Sequence, residues 1–395
     1  MRLRLLSSIA ISAAALGGRP RELPPTRLIV QRDPTFVVHD SVLAQLSGVL
    51  ALALAPDGSL YLSDFRFPAV LNLESSGTLR RVVGRSGAGP GEFYSILKVG
   101  IHRDSMWAVD PAQIRISLFP HQGRGVTTIP FGIQAHPSEG STRPRSLHGT
   151  PVALLEDGSL LVQDNLAISN NPVDGLREAR LLRTDRGLGV LDTVTRFSML
   201  HSSMAFVWDD GESHYVQPFS DDPVYAVSTD GRTLVLVRQD APRTQGGQEF
   251  TVYLWHDLDR APVVRRISYL PRALPDRVVD SMVKEMLRPV GLEALSSPIT
   301  ADSIRSHLFR PAFYPPVDQL KVGQDGVVWL RVRFADGPTD AGDWLMLSSH
   351  GFPVARATTP ANFRLLEVDG RTLYGVEGDP GDVPQLVRYR VAPRG

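Results

Sequence analysis

The sequence predicts an all-β protein folded as a six-bladed β-propeller of four-stranded blades. Three observations carry that reading: six repeats of one hairpin pattern, two further strand-like runs after most of them, and 34 glycines with 31 prolines in 395 residues, a content that demands frequent turns. The hairpin segments are Leu52 to Asp64, Val99 to Asp110, Val152 to Asp164, Val224 to Val237, Leu320 to Val332 and Leu365 to Glu377. Five of them carry Asp-Gly at the turn, the strongest short hairpin signal, because both residues tolerate the positive φ of a type I′ turn. The second, Arg103-Asp104-Ser105, departs. Further runs follow, such as Ala69 to Leu73 with Thr78 to Val83, and Phe250 to Trp255 with Val263 to Leu270.

The sixth repeat has only three strands, ending in Gln385 to Val391, while Arg27 to Val30 stands unassigned ahead of the first. The N-terminal strand is therefore expected to complete the last blade and close the ring, removing an open edge that would invite aggregation. One helix-patterned stretch, Pro275 to Phe309, has Val278, Val279, Met282, Val283, Met286 and Leu287 at helical spacing and Asp276 as its expected cap. It reads as an insertion of about 275–310 between blades four and five.

The first seventeen residues are a separate object. Arg2 and Arg4 precede the apolar stretch Leu5 to Leu16, and Ala15-Leu16-Gly17 fits a small-x-small cleavage site, the pattern of a secretory signal peptide. The stretch is too short to span a bilayer, and no cysteine follows it for lipidation. The expectation is a periplasmic or secreted protein with a Pro-rich linker over 18–26 and a single domain over 27–395.

Composition excludes several chemistries. Forty-two basic residues balance 42 acidic ones, which argues against a general nucleic-acid binder or a polybasic membrane module. Cysteine is absent, so disulfides, Cys-ligated zinc, iron–sulfur clusters and thiol catalysis are all ruled out. Only Lys98, Lys284 and Lys321 are lysine; their scatter reads as coding bias rather than function. The ten histidines show no HExxH pair, and there is no GxSxG elbow.

The run Arg81 to Phe93 (RVVGRSGAGPGEF), following a repeat of the form DGSLYLSD, resembles the inter-blade signature of NHL-type six-bladed β-propellers, particularly secreted bacterial ones. Pro315 to Trp329 is similar to the same group's approach to blade five after a helical insertion. The resemblance covers nearly the whole mature chain and implies the fold; propellers host lactonases, lyases, receptors and adaptors alike. The glycine run Gly87 to Gly91 reads as a crossover with Phe93 packed between blades rather than a phosphate cradle, because Pro90 lacks an amide donor and a strand follows.

Two sets of residues stand out for function. Asp64, Asp110 and Asp164 close the second strands of three blades and could hold a divalent cation such as calcium in the channel, or cap the following turns. A second acidic group, Asp336, Asp340 and Asp343, reads as a solvated turn. Blade geometry puts the second-to-third-strand links and the inter-blade links on one face, opposite the Asp-Gly turns. Long loops on a rigid scaffold usually carry binding. On that face Arg66, Arg85, Arg143, Arg145, His148, Asn165, Trp208 and Tyr314 are candidate ligand-binding residues. The expected function is recognition of a protein, peptide or glycan by a monomer, with no certain cofactor. The alternative is a metal-dependent lactonase, hydrolase or lyase with its site in the central channel.

Overall fold

A computed structural model describes residues 27–39, 42, 48–64, 67–121, 125–131, 149–165, 178–187, 189–201, 203–208, 211–242, 244–287, 299–337, 342–378 and 385–393. The architecture is all-β and propeller-like. Four four-stranded antiparallel meanders follow one another along the chain. Sheet one contains Val49–Leu54, Leu60–Asp64, Val70–Leu73 and Leu79–Val83; sheet two contains Lys98–His102, Ser105–Asp110, Arg115–Pro120 and Thr127–Pro130. Sheet three contains Gly149–Leu154, Leu160–Asn165, Glu178–Thr184 and Val190–Ser198; sheet four contains Val224–Val227, Leu234–Arg238, Gln248–Trp255 and Val263–Tyr269.

An eight-stranded sheet completes the fold. Its first half is Val317–Val322, Val328–Val332, Gly342–Leu347 and Pro353–Thr359; its second half is Phe363–Asp369, Thr372–Glu377, Gln385–Pro393 and the N-terminal Arg27–Arg32. Among the described residues the halves are hydrogen-bonded into one sheet through a short parallel pairing, Arg27 with Arg356 and Leu28 with Ala357. The N-terminal strand lies antiparallel to the C-terminal one from Leu28 opposite Pro393 to Arg32 opposite Tyr389. The two ends of the chain are thus neighbours.

Each sheet shares an apolar layer with the next. Phe93, Ile96 and Met106 fill the layer between sheets one and two, and Trp107, Ile116 and Leu160 the layer between two and three. Leu181 with Leu236 joins three to four, and Phe250 with Leu330 joins four to the first half. Trp329, Trp344 and Leu373 lie between the halves, while Leu62, Leu71 and Leu386 return to sheet one. Burying one such aliphatic side chain stabilises by about 1.5–3 kcal/mol. The first strand of each sheet is innermost: that of sheet two touches those of sheets one and three, and that of the second half touches those of sheet one and the first half.

The last Asp-Gly hairpin has the expected two-residue loop, Gly370-Arg371 between Asp369 and Thr372, whereas those of sheets one and three are longer. In sheet one, Ala55 N–H bonds Ser59 O at 2.8 Å and Gly58 N–H bonds Ala55 O at 2.9 Å, with Gly58 at φ 79°. This is a three-residue loop with a left-handed glycine at the bulge position. The longer loop wins because Asp57 Oδ1 accepts both the amide and the hydroxyl of Ser59, at 3.0 and 2.6 Å. Sheet three repeats the device with Asp157 and Ser159.

The helical insertion forms α1, Asp276–Met286, and α2, Ala301–His307. Asp276 is not the cap of α1: Pro275 occupies that position without a side-chain bond, and Asp276 pairs with Arg310 at 2.6 Å. An unexpected hairpin, Ser203–Trp208 with Gly211–Val216, precedes sheet four. Met204 and Phe206 of this hairpin bury Val279 and Val283 of α1 and Ile304 of α2. Gln217 binds both the carbonyl of His307 and the amide of Phe309. Hairpin and helices form one packed unit. Among the described residues no helix is long and apolar enough to cross a membrane.

Candidate functional site: a cleft between the third and fourth sheets

The expected site residues are described only in part. Arg66, Arg143, Arg145 and His148 lie outside the described residues. Asn165 and Trp208 end the strands Leu160–Asn165 and Ser203–Trp208. Arg85 is exposed and paired with Glu92 at 2.7 Å. Tyr314 is half-buried, its ring under the Arg333 guanidinium at 5.4 Å and edge-on to Phe219.

The three strand-closing aspartates serve the scaffold. Asp64 accepts the amide of Gly48 at 2.7 Å and Asp110 that of Tyr94 at 2.8 Å, each sixteen residues back and just ahead of the same sheet's first strand. Asp110 also takes the amides of Ala112 and Gln113. Asp164 is neutralised by Arg180. Gln239 does similar work in sheet four, its amide holding both N–H and C=O of Val317 at 2.8 Å. In the second acidic group, Arg356 neutralises Asp336 and Asp343; Asp340 lies outside the described residues.

The glycine-rich crossover binds a cation group rather than an anion. Arg115 donates to the carbonyls of Ala88, Gly89 and Glu92, at 2.6 to 3.0 Å. The Gly89 amide is taken by Glu92 Oε2 at 2.7 Å, and Phe93 is fully buried between sheets one and two.

On the loop-rich side, two adjoining cavities of about 720 and 840 Å³ share His201, Asp221, Asp240 and Glu249. They form one cleft between the end of sheet three and the start of sheet four, and the segment leaving α2, Phe309 to Ala312, lines its far lobe. Local structure positions its members. Asp222 accepts the amides of Leu200 at 2.8 Å and His201 at 3.0 Å, which anchors the link between the sheets. Burial pushes the Asp222 carboxyl above the usual carboxylate range, with the amide bonds opposing it. Asp221 binds His201 Nδ1 at 2.7 Å and accepts the Ala241 amide at 3.0 Å. The imidazole stacks on Phe309 with centroids 3.6 Å apart and planes 9° from parallel.

Charge in the cleft is uneven. Glu178, Asp221, Asp222, Asp240 and Glu249 face only Arg196 and Arg238. Both guanidiniums are already committed: Arg196 pairs with Glu178 at 3.0 Å, and Arg238 donates to the Arg196 carbonyl at 2.8 Å while lying over the Tyr253 ring. Asp240 and Glu249 are exposed. Glu249 meets only the Ser268 hydroxyl at 3.2 Å, and Asp240 accepts no hydrogen bond among the described residues. Their charge is available to a ligand. His201, Asp221 and Asp222 bring donor atoms within 4.8 Å of one another, a set chemically suited to a divalent cation. Their lone pairs are taken by amides and by the imidazole contact, so we assign no ion to them.

Sequence reasoning passed over this cleft because its acids come from links in two different sheets and share no motif. The one local signal was Asp221-Asp222 just ahead of a first strand.

No protein-family model matches the chain, and no curated protein matches it. Among solved structures it is similar to a Bacteroides fragilis protein thought to be exported, at 12% identity over 95% of both chains with a TM-score of 0.45. It is similar to a member of the DUF4221 family from Bacteroides vulgatus, at 11% identity over 95% of this chain and 98% of that one, TM-score 0.46. It is also similar to a virginiamycin B lyase from Staphylococcus aureus, at 9% identity over 92% and 98%, TM-score 0.40. These neighbours are propeller-type proteins; likeness at this level says nothing of this chain's activity.

Proposed function

We propose that the protein is an exported, NHL-like six-bladed propeller that recognises a peptide or protein segment carrying Lys or Arg, held in the cleft between the third and fourth sheets. The two halves of the eight-stranded sheet are counted as the fifth and sixth blades, because an apolar layer separates them and only two residue pairs bridge them. The observation that carries the ligand class is the pair of carboxylates without an ion-pair partner among the described residues, Asp240 and Glu249, in a cleft whose arginines are spent on the protein itself. Exposed ion pairs contribute about 0.2–1 kcal/mol each, so recognition combines several with contact to the Phe309 and Tyr253 rings and weakens with salt.

The test is fluorescence anisotropy with labelled peptides at low and high salt. Lys/Arg-bearing peptides should bind, and Asp240→Asn with Glu249→Gln should weaken them about tenfold. Equal binding of neutral peptides, or tighter binding of neutral glycans, would sink the reading. Export is tested by intact mass: loss of about seventeen N-terminal residues from periplasmic or culture fractions is expected.

The His201–Asp221 contact favours a second reading, that of a hydrolase or lyase. An imidazole that donates Nδ1–H to a carboxylate presents Nε2 as an acceptor, the arrangement of a general base. Turnover of a lactone or ester panel that disappears in His201→Gln would support it.

A further inference from the structure

The second hairpin is the one of the six without glycine at its turn. His102 pairs with Ser105, so Arg103-Asp104 is a two-residue loop. The last hairpin closes in the same way, with Gly370-Arg371 between Asp369 and Thr372, and Gly370 has φ 54°. Arg103 holds the same φ of 54° with a side chain attached. A Cβ makes that region costly, whereas glycine enters it freely. The other four turns also place a glycine at positive φ: Gly58, Gly158, Gly231 and Gly326. An arginine kept where glycine is the relaxed choice implies a use for its side chain.

That turn borders a cavity of about 300 Å³ on the Asp-Gly face, between sheets one and two. Its apolar wall is Ala55, Pro56, Tyr61, Ile101 and Met106, of which only Pro56 is exposed. The volume lies at the small end of the roughly 300–1,000 Å³ of ligand pockets and suits a molecule with one ring. A thioether and a phenol ring on its wall favour an aromatic one. Polar contacts fix the chamber. The Tyr61 hydroxyl bonds His121 Nδ1 at 3.0 Å, His121 Nε2 lies 3.4 Å from Asp57 Oδ2, and the His121 amide donates to the Asp104 carbonyl at 2.8 Å. The turns of two sheets thus hold one another around the cavity, a preorganised wall that a ligand need not assemble.

The charges at its mouth are unspent. Arg103 and Asp104 are both exposed and both line the cavity. Among the described residues Arg103 makes no hydrogen bond or ion pair, and the Asp104 carboxylate accepts only from the Ser105 hydroxyl at 3.3 Å. Arg103 also borders a neighbouring cavity, but the acids there have other partners: Glu156 pairs with Arg232, Asp157 and Asp259 with Arg183, and Asp257 with Arg260. An unpaired cation and an unpaired anion on adjacent residues, beside an apolar chamber, complement a ligand that carries both charges close together and one ring.

We propose that this cavity is a second site, independent of the cleft, for a free α-amino acid with an aromatic side chain. The ring enters the chamber beside Tyr61 and Met106, the carboxylate meets Arg103, and the ammonium meets Asp104.

Isothermal titration calorimetry at low ionic strength compares L-phenylalanine, glycine, 3-phenylpropionate and phenethylamine on the unaltered chain. Phenylalanine should bind saturably and glycine should not. Each analogue lacks one charge and should bind about fivefold more weakly, the most that one exposed ion pair gives. Arg103→Gly should weaken phenylalanine by about the same factor, spare phenethylamine, and leave the urea midpoint no lower, since turn strain is relieved. Asp104→Asn should weaken phenylalanine and spare 3-phenylpropionate. In a 13Cε-methionine NMR spectrum the Met106 signal, identified by its loss in Met106→Leu, should shift as phenylalanine is added. No saturable binding of phenylalanine, an analogue that binds as tightly, unchanged affinity in folded Arg103→Gly, or an unmoved Met106 signal would each overturn the proposal. The first comparison uses the unaltered chain, so a variant that fails to fold does not shield the proposal from it.

Discussion

Asp33 shows how much one residue carries. It is 5% exposed and accepts from the Thr35 hydroxyl at 2.7 Å, from Arg388 Nε at 3.0 Å and from Arg390 Nε at 2.7 Å. The Thr35 hydroxyl, with Arg390 and the Thr35 amide, holds its carboxyl well below the usual range against the cost of burial. A carboxyl depressed in the fold contributes stability above its unfolded value near 4 and loses it as pH falls below that. Asp33→Ala should cost about 3 kcal/mol in urea unfolding at pH 7, and much of the difference from the parent should vanish towards pH 2.

At the scale of elements, the strands and most turns were legible because alternation and Asp-Gly are local signals. The count of residues in each turn was not, since it follows from where the aspartate's second hydrogen bond lands. The hairpin of Ser203–Trp208 with Gly211–Val216 was missed because it falls outside the sixfold pattern. The cleft acids were illegible for another reason: they come from the links and strand ends of two different sheets and share no motif. Turns also touch neighbouring sheets. A Cβ on Gly231, at φ 75°, would lie 2.3 Å from the Leu154 carbonyl oxygen, whereas one on Gly125, at φ 116°, meets nothing. Gly231→Ala should therefore lose about 2–4 kcal/mol in chemical denaturation, against about 1 kcal/mol for Gly125→Ala from backbone strain alone.

At the scale of the molecule, the packed unit of hairpin and helices sits on the loop-rich side and supplies Phe309 to the cleft. Val283 is buried against Phe206, outside the layers that join the sheets. Val283→Asp should release protection from hydrogen exchange in α1 and in 203–216 while Leu234–Arg238 stays protected. It should also weaken peptide binding, since His201 would lose its stacking partner. Equal loss of protection in both regions would mean that the insertion and the sheets unfold as one.

The pairing of Arg27–Arg32 with Gln385–Pro393 also sets a clock. The strand made first cannot meet its partner until the last strand exists, an interval of roughly 20–80 s at 5–20 residues per second. Until then the growing chain carries an unpaired edge at its leading end and an uncovered apolar face on sheet one. Transport of the chain while still unfolded, as an export segment would direct, separates synthesis from ring closure and lets both edges become available together. On the proposed export reading, the same chain kept in the cytoplasm by removal of residues 1–17 would spend that interval exposed, and aggregation there is the expected outcome.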